Sequence, residues 1–170
     1  MKKINIEEIE KRRLESPKSR YCKIERSLSK AIGDLEAKRP FEVDNYIVPP
    51  GKKAFTYHAH GTQWEFYLVI RGSATMRFAE GTLDLAAGDA VQCQPGVAHQ
   101  LTNVGDSDFE YLVISNNPEF DTCYYPDSDK VSLSGTLAVD KGPMSEEREG
   151  LTVWTQVKEG LTGNYWSGEE

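Results

Sequence analysis

Cysteine is scarce in this 170-residue chain, and what there is lies widely spaced, at Cys22, Cys93 and Cys123. An odd number with no C-x-x-C pair points away from both a disulfide framework and a thiolate zinc site. Long hydrophobic runs are missing too. The longest, Phe66 to Ile70, is strand-sized, whereas about 18 apolar residues are needed to span a bilayer. The opening MKKINIEEIE has lysines, but acidic residues follow where a signal peptide would carry its apolar region. A cytoplasmic protein with no membrane partner is expected. Positive charge is in deficit, with 20 Lys and Arg against 27 Asp and Glu, a net charge of −7. That balance argues against a nucleic-acid partner, which calls for a basic footprint. The Lys11-Arg12-Arg13 cluster is flanked by Glu7, Glu8, Glu10 and Glu15 and reads as a solvated helix face.

Against these shortages stands a regular middle section. After the Pro49-Pro50-Gly51 turn, short runs rich in β-branched and aromatic residues alternate with turn residues. The runs are 54–60, 66–70, 74–78, 82–85, 90–94, 100–103 and 109–115. Gly72, Gly81, Gly88, Gly96 and Gly105 punctuate them. Seven strand-like runs about ten residues apart predict an all-β sandwich or barrel. Outside it, Asn5 to Leu14 reads as a short helix with Asn5 as N-cap. Strands are expected near 21–28 and 42–47, and residues 131–160 read as charged and loop-like. The expected organisation is a single structural domain: 1–45 as N-terminal helix and edge strands, 46–118 as barrel core, and 119–170 as an irregular C-terminal arm.

Histidine is as scarce as cysteine, yet two of the three residues fall one apart in YHAHGTQWE, at His58 and His60. On a strand, side chains alternate between faces, so both project from the same one. That pattern fits a solvent-facing pair as readily as a shared ion. Gly61-Thr62-Gln63 is a plausible turn; if the chain reverses there, Glu65 starts the next strand and can face both imidazoles. Tyr67 then shares the face of Glu65. His99 follows the Pro95-Gly96 turn and begins a later strand. Three nitrogens and one carboxylate oxygen suit a divalent transition metal, Fe, Mn, Co, Ni or Zn, without selecting one.

These spacings resemble the two motifs of the cupin superfamily. The first reads Gly51, His58, His60, Glu65 and Gly72, with four residues between His60 and Glu65 and six between Glu65 and Gly72. Gly51 stands one residue further out than the usual pattern. The second reads Gly88, Gly96, His99 and Asn103, with Pro95 directly before Gly96. The terminal Tyr165-Trp166 and Gly168-Glu169 resemble those of a group of small single-domain bacterial cupins. The resemblance implies a double-stranded β-helix, or jelly-roll barrel, with metal ligands His58, His60, Glu65 and His99 in its mouth. It also implies a small-molecule ligand, and a homodimer formed through N-terminal strands within residues 18–47. Asn103 is expected to be a structural hydrogen-bonding residue, and strand position makes Tyr67, Arg77 and Gln92 pocket candidates. Two functions follow as expectations: a metal-dependent isomerase, decarboxylase or dioxygenase acting on a sugar, keto acid or similar molecule, or a non-catalytic module that binds or senses one.

Overall fold

A computed structural model describes residues 1–33, 39–135, 151–156, 165–166 and 168–169. The described residues form thirteen strands: β1 Arg12–Glu15, β2 Cys22–Ser27, β3 Phe41–Val48, β4 Ala59–His60, β5 Glu65–Arg71, β6 Ser73–Phe78, β7 Gly81–Ala86, β8 Ala90–Cys93, β9 Gln100–Thr102, β10 Phe109–Asn116, β11 Phe120–Tyr125, β12 Lys130–Gly135 and β13 Leu151–Gln156. Among them the helical elements are a 3-10 turn at Ile6–Glu8 and the short α1, Leu28–Ile32.

One wall is a six-stranded sheet in the order β1-β2-β3-β10-β5-β8, antiparallel throughout. Facing it are a three-stranded sheet, β7-β6-β9, and a four-stranded sheet, β13-β12-β11-β4. The segment 53–60 stitches these two together. It bridges to β9 at Lys53–Thr102, continues through His58–His99, and ends as β4 beside β11. The core lies between the walls and is heavily aromatic, with Tyr46, Phe55, Tyr67, Phe109 and Tyr111 packed among Val48, Val69, Met76 and Leu101. Burying each such side chain contributes roughly 1.5–3 kcal/mol, which explains why the apolar positions of 54–113 fix the register.

Alternation holds strictly along β5. Tyr67 and Val69 are buried, while Phe66 and Ile70 face outward. At its end the chain turns from one wall to the other through Gly72, whose φ is +80°. A Cβ there would sit 2.6 Å from the Asp108 carbonyl oxygen. Gly72→Ala therefore combines a left-handed backbone with a backbone clash. We expect it to cost about 2 kcal/mol or more, read as a lower urea midpoint at unchanged m-value.

Three expectations need correcting. The helix read over Asn5–Leu14 is a single 3-10 turn followed by the strand β1. Asn5 does cap it, accepting from the Glu7 N–H at 3.0 Å, but Arg12–Glu15 pairs with β2 instead of continuing the helix. Within 1–45 the edge position belongs to β1, and β2 and β3 lie inside the sheet. The region after 118 is more ordered than read: β11, β12 and β13 form a meander within it, with Tyr125-Pro126-Asp127-Ser128-Asp129-Lys130 as the β11–β12 turn. The parts of 131–160 that fall at 136–150 and 157–160 lie outside the described residues.

Candidate metal centre

His58 sits on the bridge to His99, His60 in β4, Glu65 at the head of β5, and His99 just before β9. Three hydrogen bonds orient the rings. The Nδ1 of His58 lies 2.7 Å from the Thr56 carbonyl, that of His99 2.9 Å from the Val97 carbonyl, and that of His60 2.5 Å from Asp121 Oδ2. Carbonyl and carboxylate oxygens only accept here, so each Nδ1 carries its hydrogen and donates. In the neutral rings Nε2 is then left as an acceptor. All three Nε2 atoms face the same space. Those of His58 and His60 are 3.2 Å apart, His60 Nε2 is 3.7 Å from Glu65 Oε2, and His99 Nε2 is 2.9 Å from that oxygen.

Two facing lone pairs at 3.2 Å repel unless a cation sits between them, so the donor chemistry fits a metal. His58, Glu65 and His99 offer ligand atoms that all lie within 4.8 Å of one another. Electrostatics prepare the same centre. Loss of water around the buried His58 ring, with the His99 and His60 rings nearby, pushes its pKa down to about 3. His58 is thus neutral and ready to coordinate. Burial alone would raise Glu65, but the His99 hydrogen bond and the surrounding imidazoles outweigh it, so its carboxyl stays below the usual range and ionised. Burial opposes charge on His99, yet hydrogen bonds with Cys93 and Glu65 outweigh this and raise it. Without an ion, His99 and Glu65 form an ion pair, and an incoming metal must displace its proton.

An aromatic collar holds the imidazoles. Phe55 meets His58 and His99 edge-on, at centroid distances of 5.1 and 5.6 Å, and Tyr125 stacks on His58 at 5.9 Å. The Tyr67 hydroxyl donates to Glu65 Oε2 at 2.8 Å and lies 3.0 Å from His99 Nε2. Of the three pocket candidates, only Tyr67 points inward to this centre. Arg77 and Gln92 have the opposite parity to the core residues of their strands. Gln92 is exposed on the outer face of β8. Arg77 lies over the Tyr57 ring at 3.9 Å and makes a two-pronged ion pair with Asp127. Asn103 is buried and structural: its amide donates to the Val48 and Ser107 carbonyls and its oxygen accepts from the Gly105 N–H.

Sequence reasoning missed the contribution of β11. Asp121 holds His60 through Oδ2. Through Oδ1 it accepts from the Thr62 N–H, the Thr62 hydroxyl and the Gln63 N–H. It thereby pins the very turn that brings Glu65 round to the histidines. The available signal was the strict alternation of buried Asp121, Cys123 and Tyr125 with exposed Phe120, Thr122 and Tyr124, an acid on the inward face of a strand. Removing such an outer partner lowers metal affinity about 10–100-fold. We expect Asp121→Asn to do so in competition titrations with a chromophoric chelator. An unchanged affinity would reduce Asp121 to a turn anchor.

Beside the centre opens a cavity of about 360 Å³, lined by His60, Gln63, Asp121, Cys123, Tyr125 and Tyr165 among others. Burial pushes the Cys123 thiol up to about 12. Tyr165 reaches the site from the C-terminal segment. Its hydroxyl bonds Thr56 at 3.2 Å, its ring meets Tyr125 edge-on, and the neighbouring Trp166 packs on Tyr21. Glu169 anchors this segment. Its carboxylate pairs with buried Lys130 at 3.1 Å and accepts from Ser128 at 2.6 Å. Its carbonyl accepts from Arg20 and the Tyr21 hydroxyl.

Comparison with known proteins agrees with this architecture. Residues 45–115 match the family described as a cupin domain. No curated protein matches the sequence. Among solved structures, a sugar phosphate isomerase of the cupin superfamily from Silicibacter pomeroyi DSS-3 superposes with a TM-score of 0.69. It is 22% identical, over 86% of this chain and 99% of that one. A provisionally named sugar phosphate isomerase from Acidithiobacillus ferrooxidans gives 0.67 at 24% identity, over 84% and 90%. A predicted oxalate decarboxylase from Thermotoga maritima gives 0.59 at 19%, over 69% and 100%. With its double-walled β-barrel and its match to the cupin domain over residues 45–115, this chain shares the fold of these cupin structures.

Proposed function

We propose that this chain holds one divalent transition metal through His58, His60, Glu65 and His99, and that it uses the ion to bind a small oxygenated molecule. The observation that carries this reading is the convergence of three Nε2 atoms and one carboxylate, each imidazole fixed by an acceptor behind it. Bound there, a metal supplies Lewis-acid attraction for ligand oxygens. The chain supplies the rest. Asp121 keeps His60 in its coordinating tautomer, and the Tyr67 hydroxyl holds Glu65 in place. The cavity walls offer the hydroxyls of Ser132, Ser134, Tyr125 and Tyr165 and the amides of Gln63 and Asn117. Such a lining suits a hydroxylated ligand of sugar or keto-acid class. The likeness to structures described as sugar phosphate isomerases makes sugars the first to test.

One observation favours binding without turnover. All three histidines of the chain are in the donor set, so none remains as a separate acid or base, and proton transfer would fall to Tyr67 or a carboxylate. The two readings separate experimentally. Protein purified without a histidine tag or chelator, then reconstituted, should carry close to one equivalent of a transition metal. Less than about a tenth at saturating metal sinks the site. The loaded protein is then screened against sugars, sugar acids and keto acids. A ligand at about 100 times its Kd should add about 2.7 kcal/mol of stability to the loaded form and nothing to the metal-free form. Product formation by that ligand assigns an enzyme, and retention without product assigns a binding module.

A further inference from the structure

The inward face of β11 presents three buried side chains in a row, Asp121, Cys123 and Tyr125. Two of them serve imidazoles: Asp121 bonds His60 Nδ1, and Tyr125 stacks on His58. Cys123 lies between them, directly opposite His60 in the β4–β11 ladder. It faces the cavity that His60 also lines. Its Sγ and the coordinating nitrogens of His58 and His60 all lie within 4.8 Å of one another. In one coordination sphere, nitrogen stands about 2.0–2.1 Å and sulfur about 2.3 Å from the ion, so two such donors are separated by roughly 3 to 4.4 Å. The observed upper bound is a few tenths of an ångström beyond that range, which a small rotation of the short thiol side chain covers.

The geometry points to Cys123 as a sulfur donor to the same ion as His58 and His60. This inference rests on the metal reading above and goes beyond its three nitrogens and one oxygen. Two donor sets then overlap at His58: the nitrogen–oxygen set His58, Glu65 and His99, and the sulfur-containing set His58, His60 and Cys123. On coordination the thiol S–H bond breaks, a sulfur lone pair forms the bond to the metal, and the proton leaves through the adjoining cavity to solvent. A thiolate makes the centre softer. It favours zinc, cobalt or nickel over manganese, which prefers oxygen donors.

Cys22 gives an internal control. Cys22 and Cys93 are also free and buried, and Cys93 Sγ packs 3.9 Å from Met76 Sδ. The full chain is stripped of metal, loaded with cobalt(II), and its absorption recorded. A sulfur-to-cobalt charge-transfer band in the near ultraviolet is expected. It should vanish in Cys123→Ser and Cys123→Ala while cobalt remains bound, and persist in Cys22→Ser. X-ray absorption at the zinc edge of the wild-type protein, which needs no variant, should show one sulfur scatterer at about 2.3 Å. Stoichiometric cobalt with no sulfur band and no sulfur scatterer overturns this inference and leaves the metal site standing. A band that persists in Cys123→Ala overturns it as well. Failure to bind any cobalt or zinc overturns the metal reading and this inference together.

Discussion

His58→Ala should hold less than about a tenth of the metal carried by the wild-type protein under matched conditions, an affinity loss of about 100-fold or more. Loss of an outer partner alone weakens metal sites 10–100-fold, and His58 is proposed as a direct donor. Two further features enlarge the effect. His58 belongs to both groups of donor atoms that lie close enough to share an ion. It is also kept neutral by burial, with its pKa pushed down to about 3, so it coordinates without first releasing a proton at any ordinary pH. The measurement is elemental analysis after dialysis against a weak chelator, with circular dichroism to confirm the fold. Near wild-type occupancy in a folded His58→Ala protein would show that the ion, if bound, sits elsewhere.

Glu169→Ala should lower stability by roughly 3–5 kcal/mol, because it takes the carboxylate from a buried cation whose other acceptor is the Tyr165 carbonyl. The Lys130 side chain is 1% exposed and that of Glu169 is fully buried. Removing the carboxylate takes a charge partner from Lys130 and an acceptor from Ser128. At two to four degrees per kcal/mol for a chain of this size, the midpoint should fall by about 10 °C. The double replacement Lys130→Met with Glu169→Leu should recover much of that loss, since replacing both charges by apolar groups avoids the stranded ion. A drop under about 1 kcal/mol in the single variant would mean that the segment lets go and water reaches Lys130.

The barrel could be read from the sequence because its signals are local. β6 and β10 alternate between buried and more exposed positions along most of their length, and turn glycines such as Gly72, at φ +80°, mark the corners. The structure brings His58, His60, Glu65 and His99 together, as parity within a strand and a turn between strands allow. Arg77 and Gln92 point away from the centre for the same reason that Tyr67 points into it. Parity decides inward from outward, and their neighbours Met76 and Cys93 hold the inward places. Asp121, Cys123 and Tyr165 were out of reach because their roles depend on long-range pairing. His60 and Asp121 are 61 residues apart, and Thr56 and Tyr165 are 109 apart. No short-range pattern carries such distances. The lost N-terminal helix is the opposite case: its N-cap Asn5 was right, but pairing of Arg12–Glu15 with β2 outweighed local propensity.

The position of Asp121 has a consequence for how this protein can change. The stretch shared with the family ends at residue 115, six residues before the carboxylate that orients His60. The shared stretch therefore carries His58, His60, Glu65 and His99, while the meander beyond it sets the tautomer of His60 and the shape of the room in front of it. Substitutions along β12 can reshape that room without touching His58, His60, Glu65 or His99. A fragment trimmed to the shared stretch would keep those four residues and lose the carboxylate that aims His60.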